Sequence, residues 1–387
     1  MLYVDLELLN RSIRLEEISW TEIPYRRPRA AGKNARLDVH GRGGVFPAVQ
    51  IRAGGVEGFG WCALTRPRAE ALAGLPLSAM FRPNGMLRKK FRCLEFPLLD
   101  WLGQFFHKPV YELVTKKFSG PAAEFSVPVY DTTIYFDELH IKDDTEAVAF
   151  ILDEVSQGMD RGFRDFKIKA GRCGMWMPLE AGLRRDVDIV NGIRRRIGPG
   201  AKLMVDVNNA YNLNITREFL SAVRDAELFW LEEPFHEDGV LYTHLKTWMK
   251  EQGMKTLIAD GEGWASGALL DWAKQGFIDV IQYDLRSYGF FRWLELCAEL
   301  EPCDILTAPH NYGGFYGNYA QAHFAAAAGN FALGEFDIAQ AEGIDTPGYR
   351  IKDGRLEVPR TSGFGLCLDQ GRFKALRDQK GYRISAG

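Results

Sequence analysis

Seven short apolar stretches of this chain each end in ionisable or amide side chains. Lys167 and Lys169 close FKIK, Asp206 and Asn208 close LMVDVN, Glu232 and Glu233 close FWLEE, and Asp260 and Glu262 close LIADGE. Asp284 closes VIQYD, His310 closes ILTAPH and Glu335 closes FALGE. From Asp206 onward the endings recur at intervals of roughly 22–30 residues, about the length of one strand–helix unit. A single strand-end acid reads as a helix cap or a solvated loop group. Seven endings in step with one repeat do not.

The types in this set suit one chemistry. Carboxylates from neighbouring strands are hard oxygen donors that fit Mg²⁺, and no His/Cys cluster has zinc spacing. A divalent ion offsets negative charge on a substrate carboxylate, and that charge grows when the α-proton leaves to give an enediolate. Lys169 is the candidate base. Lys167 projects from the same side of the strand, and with a nearby cation it should lower the pKa of Lys169. His310 can supply or remove a proton on the other face, with Asp284 one strand earlier orienting its imidazole and raising its pKa. Alternation lets only one of Glu232 and Glu233 point inward, and gives Asp260 and Glu262 the same parity. His40, His107, His140, His236, His244 and His323 read as structural or surface groups.

Elements that would position these residues follow from the apolar pattern. Residues 1–125 read as an α+β domain: YVDLELL and SIRLEEISW alternate like strands, and FPAVQIRAGGVEGFGWC reads as a hairpin turning at Gly54-Gly55. LRKKFRCLEFPLLDWLGQFFHKPVYELV has helical spacing broken at Pro109. From 126 to 345 short apolar strands alternate with amphipathic helices, eight strand candidates in all, as in a parallel βα barrel whose C-terminal strand ends share one mouth. Residues 346–387 are rich in turn signals and need not belong to the barrel.

Composition narrows the classes. The 387 residues are 46% hydrophobic and 26% charged, ordinary for a globular protein, and the net charge of −3 gives no reason to expect a nucleic-acid partner. The six cysteines form no CxxC pair and suit a reducing cytoplasm. MLYVDLELLNRSI has no signal-peptide pattern, and no apolar run reaches the roughly 20 residues that span a membrane.

FKIK, VDVNN, WLEEP, GEGW, the strand-end Asp284, PH at the seventh strand and GEFD at the eighth together resemble the enolase superfamily, mandelate racemase subgroup. The resemblance covers about residues 126–340, and SGFGLCLD (362–369) is similar to the family's tail. It implies a TIM-type (β/α)7-8 barrel with an N-terminal α+β capping domain completed by the C-terminal tail. It further implies Asp206, Glu232 and Glu262 as ligands of Mg²⁺, Lys169 as base on one face, and His310 with Asp284 on the other. Lys167 and Glu335 match groups that hold the substrate carboxylate and enediolate, and Asn208 matches a position near metal and substrate. In the family an early loop covers the mouth; here PYRRPRAAGKNAR (24–36), with Arg26, Arg27, Arg29, Lys33 and Arg36, suits a polyhydroxylated or doubly anionic substrate if it does the same. The expected activity is β-elimination of water from a sugar acid, a hydro-lyase reaction, with racemase, epimerase or cycloisomerase as the alternative. A homo-oligomer acting on a small carboxylate in the cytoplasm is implied. A purely binding or scaffolding barrel would have no use for the whole set.

Overall fold

The computed structural model describes residues 2–9, 12–117 and 125–387. Residues 1, 10 and 11 of the segment read for a signal peptide, and residues 118–124 before the expected boundary, lie outside the described residues.

Three antiparallel strands open the chain: β1 (Leu15–Ala31), β2 (Gly41–Ala53) and β3 (Val56–Trp61). The β2–β3 hairpin turns at Gly54-Gly55, with Ala53 paired to Val56. Both glycines take positive φ, the conformation such a tight turn demands. YVDLELL does not form a strand. Its centre is a 3-10 turn, Leu6–Leu8, because the Asp5 carboxylate accepts from Glu7 N at 3.0 Å and offers the backbone a local alternative. Helix Glu95–Phe106 packs against the sheet, and a second helix, Val110–Val114, starts after Pro109 as the break there predicts.

The basic stretch from residue 24, expected as a loop, is strand as far as Ala31. It continues β1 and pairs with both β2 and residues 340–341, with Tyr25 opposite Ala341 and Arg26 opposite Gln340. Tyr25 and Arg26 have backbone partners on both sides, and the pairing with β2 is interrupted between Arg26 and Ala31. Alternation then decides its side chains: Arg27 is buried, and Arg26 is exposed on the opposite face. Of the two arginines it is Arg27 that meets the barrel, at Asp337, while Arg26 is exposed.

The barrel consists of β4 (Phe125–Ile134), β5 (Asp165–Lys169), β6 (Leu203–Asp206), β7 (Trp230–Glu232), β8 (Leu257–Asp260), β9 (Val280–Ile281), β10 (Leu306–Thr307) and β11 (Gly334–Phe336). Neighbours are parallel and follow chain order, β11 pairs β4, and the remaining gap is bridged between Thr307 and Phe331. Tyr130, Met204, Trp230, Ala259, Val280, Ala308 and Leu333 fill the interior as one buried cluster beneath the mouth. Burying both faces of the strands explains why they read as nearly unbroken apolar runs.

The tail divides its loyalties. Strand Tyr382–Ser385 pairs β1 antiparallel, which carries the end of the chain back to the N-terminal sheet. Arg355–Val358 instead pairs with the first residues of β4 and extends the barrel sheet. Among the described residues no helix is long and apolar enough to cross a membrane.

Candidate active site

Register brings the first part of the site together. Lys169 is paired with Asp206, and Asp206 with Glu232, across β5, β6 and β7. Lys167 Nζ lies 2.7 Å from Glu232 Oε1, 3.1 Å from Glu335 Oε1 and 3.9 Å from Asp206 Oδ2, while Lys169 Nζ is hydrogen-bonded to Asp206 Oδ2. Both lysines are buried. Their shared face, which would be repulsive alone, is the face that meets the acids.

This arrangement reverses one expectation. Burial pulls Lys169 down, but Asp206 and Glu262 outweigh both burial and Lys167, and hold it above the ordinary lysine value. Lys167 is likewise raised against burial, by Glu232 and Glu335. Proximity to Lys167 does not by itself make Lys169 a base at neutral pH, because Asp206, hydrogen-bonded to it, and Glu262 act more strongly on it than Lys167 does. A divalent cation on those carboxylates would cancel their pull and shift Lys169 downward.

The donor oxygens of Asp206, Glu232 and Glu262 lie within 4.8 Å of one another. Asn208 stitches the cluster, its Nδ2 3.3 Å from Asp206 Oδ2, 3.1 Å from Glu233 Oε2 and 3.3 Å from Glu262 Oε1; its own Oδ1 is buried without a partner. Three converging carboxylates without nitrogen or sulfur donors fit Mg²⁺. Glu232 also accepts from Trp230 Nε1 and Gln282 Nε2 at 3.1 and 2.9 Å. Glu233 leaves the strand with φ 45° and sits beside the cluster, where burial and then Glu262 and Asp206 push it up to about 10.

Equal parity does not bring Asp260 and Glu262 to one face. Gly261, at φ 127°, breaks the alternation between them. Asp260 turns to the hydroxyl of Tyr242 on helix Gly239–Glu251, and Glu262 faces Asn208 and His310.

His310 and Asp284 are set by the next two strand ends. His310 N donates to Tyr283 O at 3.2 Å and Leu285 N to His310 O at 3.0 Å, which places the two side chains next to each other. Asp284 Oδ1 caps the short helix Leu285–Tyr288, accepting from Arg286 N and Ser287 N at 2.9 Å each. That leaves Oδ2 3.4 Å from His310 Nδ1, an ion-pair distance without hydrogen-bond alignment. His310 Nε2 points the other way, 3.1 Å from Glu262 Oε2 and 3.9 Å from Glu335 Oε2. Burial disfavours the imidazolium, but Glu335, Glu262 and Asp284 overcome it and raise His310 to about 9.

Glu335 accepts from Thr132 Oγ1 at 2.6 Å and Asn311 N at 2.5 Å besides Lys167. Burial works against its ionisation, yet Lys167 and His310 bring it down to about 2. A carboxylate held ionised accepts hydrogen bonds and donates none. It is therefore placed to accept from Lys167 and to hold negative charge beside His310.

Asp337 and His40 escaped the sequence reading of the mouth. Asp337, two positions after Glu335 and of the same parity, forms a bidentate pair with buried Arg27 at 2.9 and 2.6 Å and accepts from Gly313 N at 3.0 Å. The parity rule could have found it. Arg36, one of the basic residues of the early loop, reaches to 3.8 Å from Glu233, and His40, read as structural or surface, is wedged between Tyr135 and Tyr312. Nothing in the local spacing announces His40.

The sequence model of the enolase C-terminal domain-like family matches residues 151–372. A mutant of galacturonate dehydratase from a Geobacillus species, complexed with Mg, has a similar structure with a TM-score of 0.97 and 43% identity, covering 100% of both chains. The same Geobacillus enzyme complexed with D-galacturonate and 5-keto-4-deoxy-D-galacturonate gives a TM-score of 0.94 at 44% identity, covering 97% of this chain and 100% of that one. Arabinonate dehydratase of Saccharolobus solfataricus is 23% identical over 73% of this chain and 70% of its own length.

Proposed function

The chain belongs to the enolase C-terminal domain-like family, and from that premise we propose that it is a Mg²⁺-dependent acid-sugar dehydratase, with D-galacturonate the first substrate to test. One observation carries the reading. Two proton-transfer groups from distant strands, Lys169 and His310, each contact the same three-carboxylate cluster: Lys169 through Asp206, and His310 through Glu262.

Asp206, Glu232 and Glu262 would hold Mg²⁺, which would supply positive charge to offset the negative charge growing on the substrate carboxylate. The protein's own residues do the rest. Neutral Lys169 takes the α-proton and becomes ammonium. The electron pair of that C–H bond moves into the carboxylate system, where the Lys167 ammonium helps hold it. His310, kept as imidazolium by Asp284 and Glu335, gives its Nε2 proton to the β-hydroxyl. The C–O bond then breaks, water leaves, and the resulting enol tautomerises to a 2-keto acid. Asp284 takes no proton; it holds the ring by its Nδ1 side.

Return of a proton to the opposite face of the α-carbon would give epimerisation from the same groups. A screen of acid sugars with 2-keto acid detection, run beside solvent-deuterium exchange at the α-carbon, separates the outcomes. Keto acid formation supports dehydration, exchange without it supports isomerisation, and neither with any acid sugar refutes the proposal. We retain with this reading a cytoplasmic homo-oligomer, which light scattering and cell fractionation test.

A further inference from the structure

His40 lies at the end of the segment, residues 32–40, that leaves β1 for the barrel and returns to β2. That segment is pinned to the barrel. Phe136 N donates to Lys33 O at 2.9 Å, Trp176 Nε1 donates to Asn34 O at 2.7 Å, and the Lys33 ammonium sits 3.8 Å above the Trp176 ring. Asn34 Oδ1 folds it internally, accepting from Arg36 N and Leu37 N at 2.9 and 2.7 Å. The approach is close: a Cβ at Gly32 would fall 2.3 Å from Asp137 Oδ1. The loop is thus held in one place before any ligand arrives.

The imidazole is fixed twice over. Its ring packs on Tyr135, centroids 4.9 Å apart, and edge-on to Tyr312 at 5.2 Å. Its Nδ1 is 2.6 Å from Gly32 O. A carbonyl can only accept, so Nδ1 carries a proton. Burial, with Lys169 and Arg27 acting in the same direction against the Gly32 carbonyl, lowers its pKa and favours the neutral ring. Nε2 is then an acceptor of known tautomer. The Lys169 ammonium lies 5.6 Å from the centroid of the same Tyr135 ring. Tyr135 thus has both the imidazole of the N-terminal part of the chain and the candidate base as neighbours.

We propose that His40 Nε2 accepts a hydrogen bond from a hydroxyl of the bound acid sugar outside the reacting α and β carbons, and so selects among sugar acids. The inference rests on the acid-sugar reading above. The carboxylate end of such a substrate meets cations, whereas its remaining hydroxyls are donors that need a fixed acceptor. His40 is a specificity residue in this scheme and takes no part in the proton transfers.

The test is a protein–ligand cycle by calorimetry with Mg²⁺ present, in a Lys169→Ala background that leaves the ligand unreacted. The probes are D-galacturonate and its 2-deoxy and 3-deoxy analogues. His40→Phe keeps an aromatic ring between the two tyrosines but removes the acceptor, and His40→Gln restores an acceptor. With His40 present, one deoxy analogue should bind about 10–100-fold more weakly than the parent, the range for leaving a buried partner unpaired. His40→Phe should weaken the parent by a similar factor without weakening that analogue further, and His40→Gln should recover part of the loss. If His40→Phe and His40→Gln weaken all three ligands equally, or neither changes any, the selecting role is overturned. If the folded, Mg²⁺-loaded protein binds none of the three, the galacturonate assignment has failed and the inference falls with it. Binding that ignores His40 removes the inference alone.

Discussion

Replacing Asp284 with Asn tests the division of labour between the two proton-transfer groups. Asn keeps the shape and the side-chain oxygen that caps helix Leu285–Tyr288, so the backbone around His310 should survive. The change removes the negative charge 3.4 Å from His310 Nδ1. An opposite charge within about 4–6 Å shifts a pKa by about 1–3 units, and the absence of hydrogen-bond alignment argues for the low end of that range. At about 1.4 kcal/mol per pKa unit the substitution lowers the His310 pKa by roughly one unit, and slows dehydration about 10-fold at pH values above the parent's alkaline limb, where the acid form is scarce. Glu262 also raises His310, and a cation on Glu262 would cancel that contribution; Asp284 acts on the other ring nitrogen, so its share persists. The acid form of His310 is lost as pH rises through its pKa, so the alkaline limb of the dehydration profile should move about one unit toward acid in the variant. The assay compares α-deuterium exchange with 2-keto acid formation in parent and Asp284→Asn across pH 6–10. Exchange that outlasts elimination supports the assignment. Equal loss of both would make His310 the abstracting base, and an unchanged rate with an unmoved limb would exclude the pair from the chemistry.

Chelation by EDTA should abolish activity and Mg²⁺ should restore it, with a parallel fall and recovery in melting temperature; full activity after rigorous chelation refutes the metal site. Lys169→Ala should reduce α-proton exchange about 10²–10⁴-fold for one substrate configuration more than for the other, and near-parent exchange with every active substrate would remove Lys169 as base. Glu95 is buried, and that burial pushes it up to about 7, although it accepts from Phe291 N at 3.2 Å. The folded state therefore holds a proton that the unfolded chain releases, and stability falls as pH rises from the ordinary glutamate range through about 7, by up to about 3 kcal/mol. Glu95→Gln keeps the acceptor without the titration, so chemical denaturation should find it close to the parent at pH 5 and more stable at pH 8; a parent more stable at pH 8 contradicts this.

Much of the barrel and of the constellation could be read in the sequence because both are periodic. Each βα unit repeats the same local demands: an apolar strand buried on both faces, a polar residue where it emerges, and an amphipathic helix back. The succession from Lys169 to Glu335 therefore carried chain order around the barrel, and the hard-oxygen character of the acids carried the metal class without any coordinates. Local signals also placed the Gly54-Gly55 hairpin and the break at Pro109.

Tertiary structure decided whatever depended on one side chain's direction or on contacts between distant segments. Asp260 and Glu262 have equal parity, and only the φ of Gly261 sends one to Tyr242 and the other to His310. Arg26 and Arg27 are adjacent and alike, and only the meeting of the strand with the distant Asp337 shows that Arg27 is the buried one. The lysine pair was legible as a pair. Its protonation was not, because pKa follows distance to charges from other strands, and the carboxylates stand closer to Lys169 than the argument from Lys167 assumed. His40 shows the limit most plainly. It lies four residues beyond the basic loop that the sequence marked, and its place is set by Tyr135 and Tyr312, which come from two other strand ends. Periodicity and residue type are local properties that a sequence displays; which atoms of distant segments meet is settled only when the chain closes on itself.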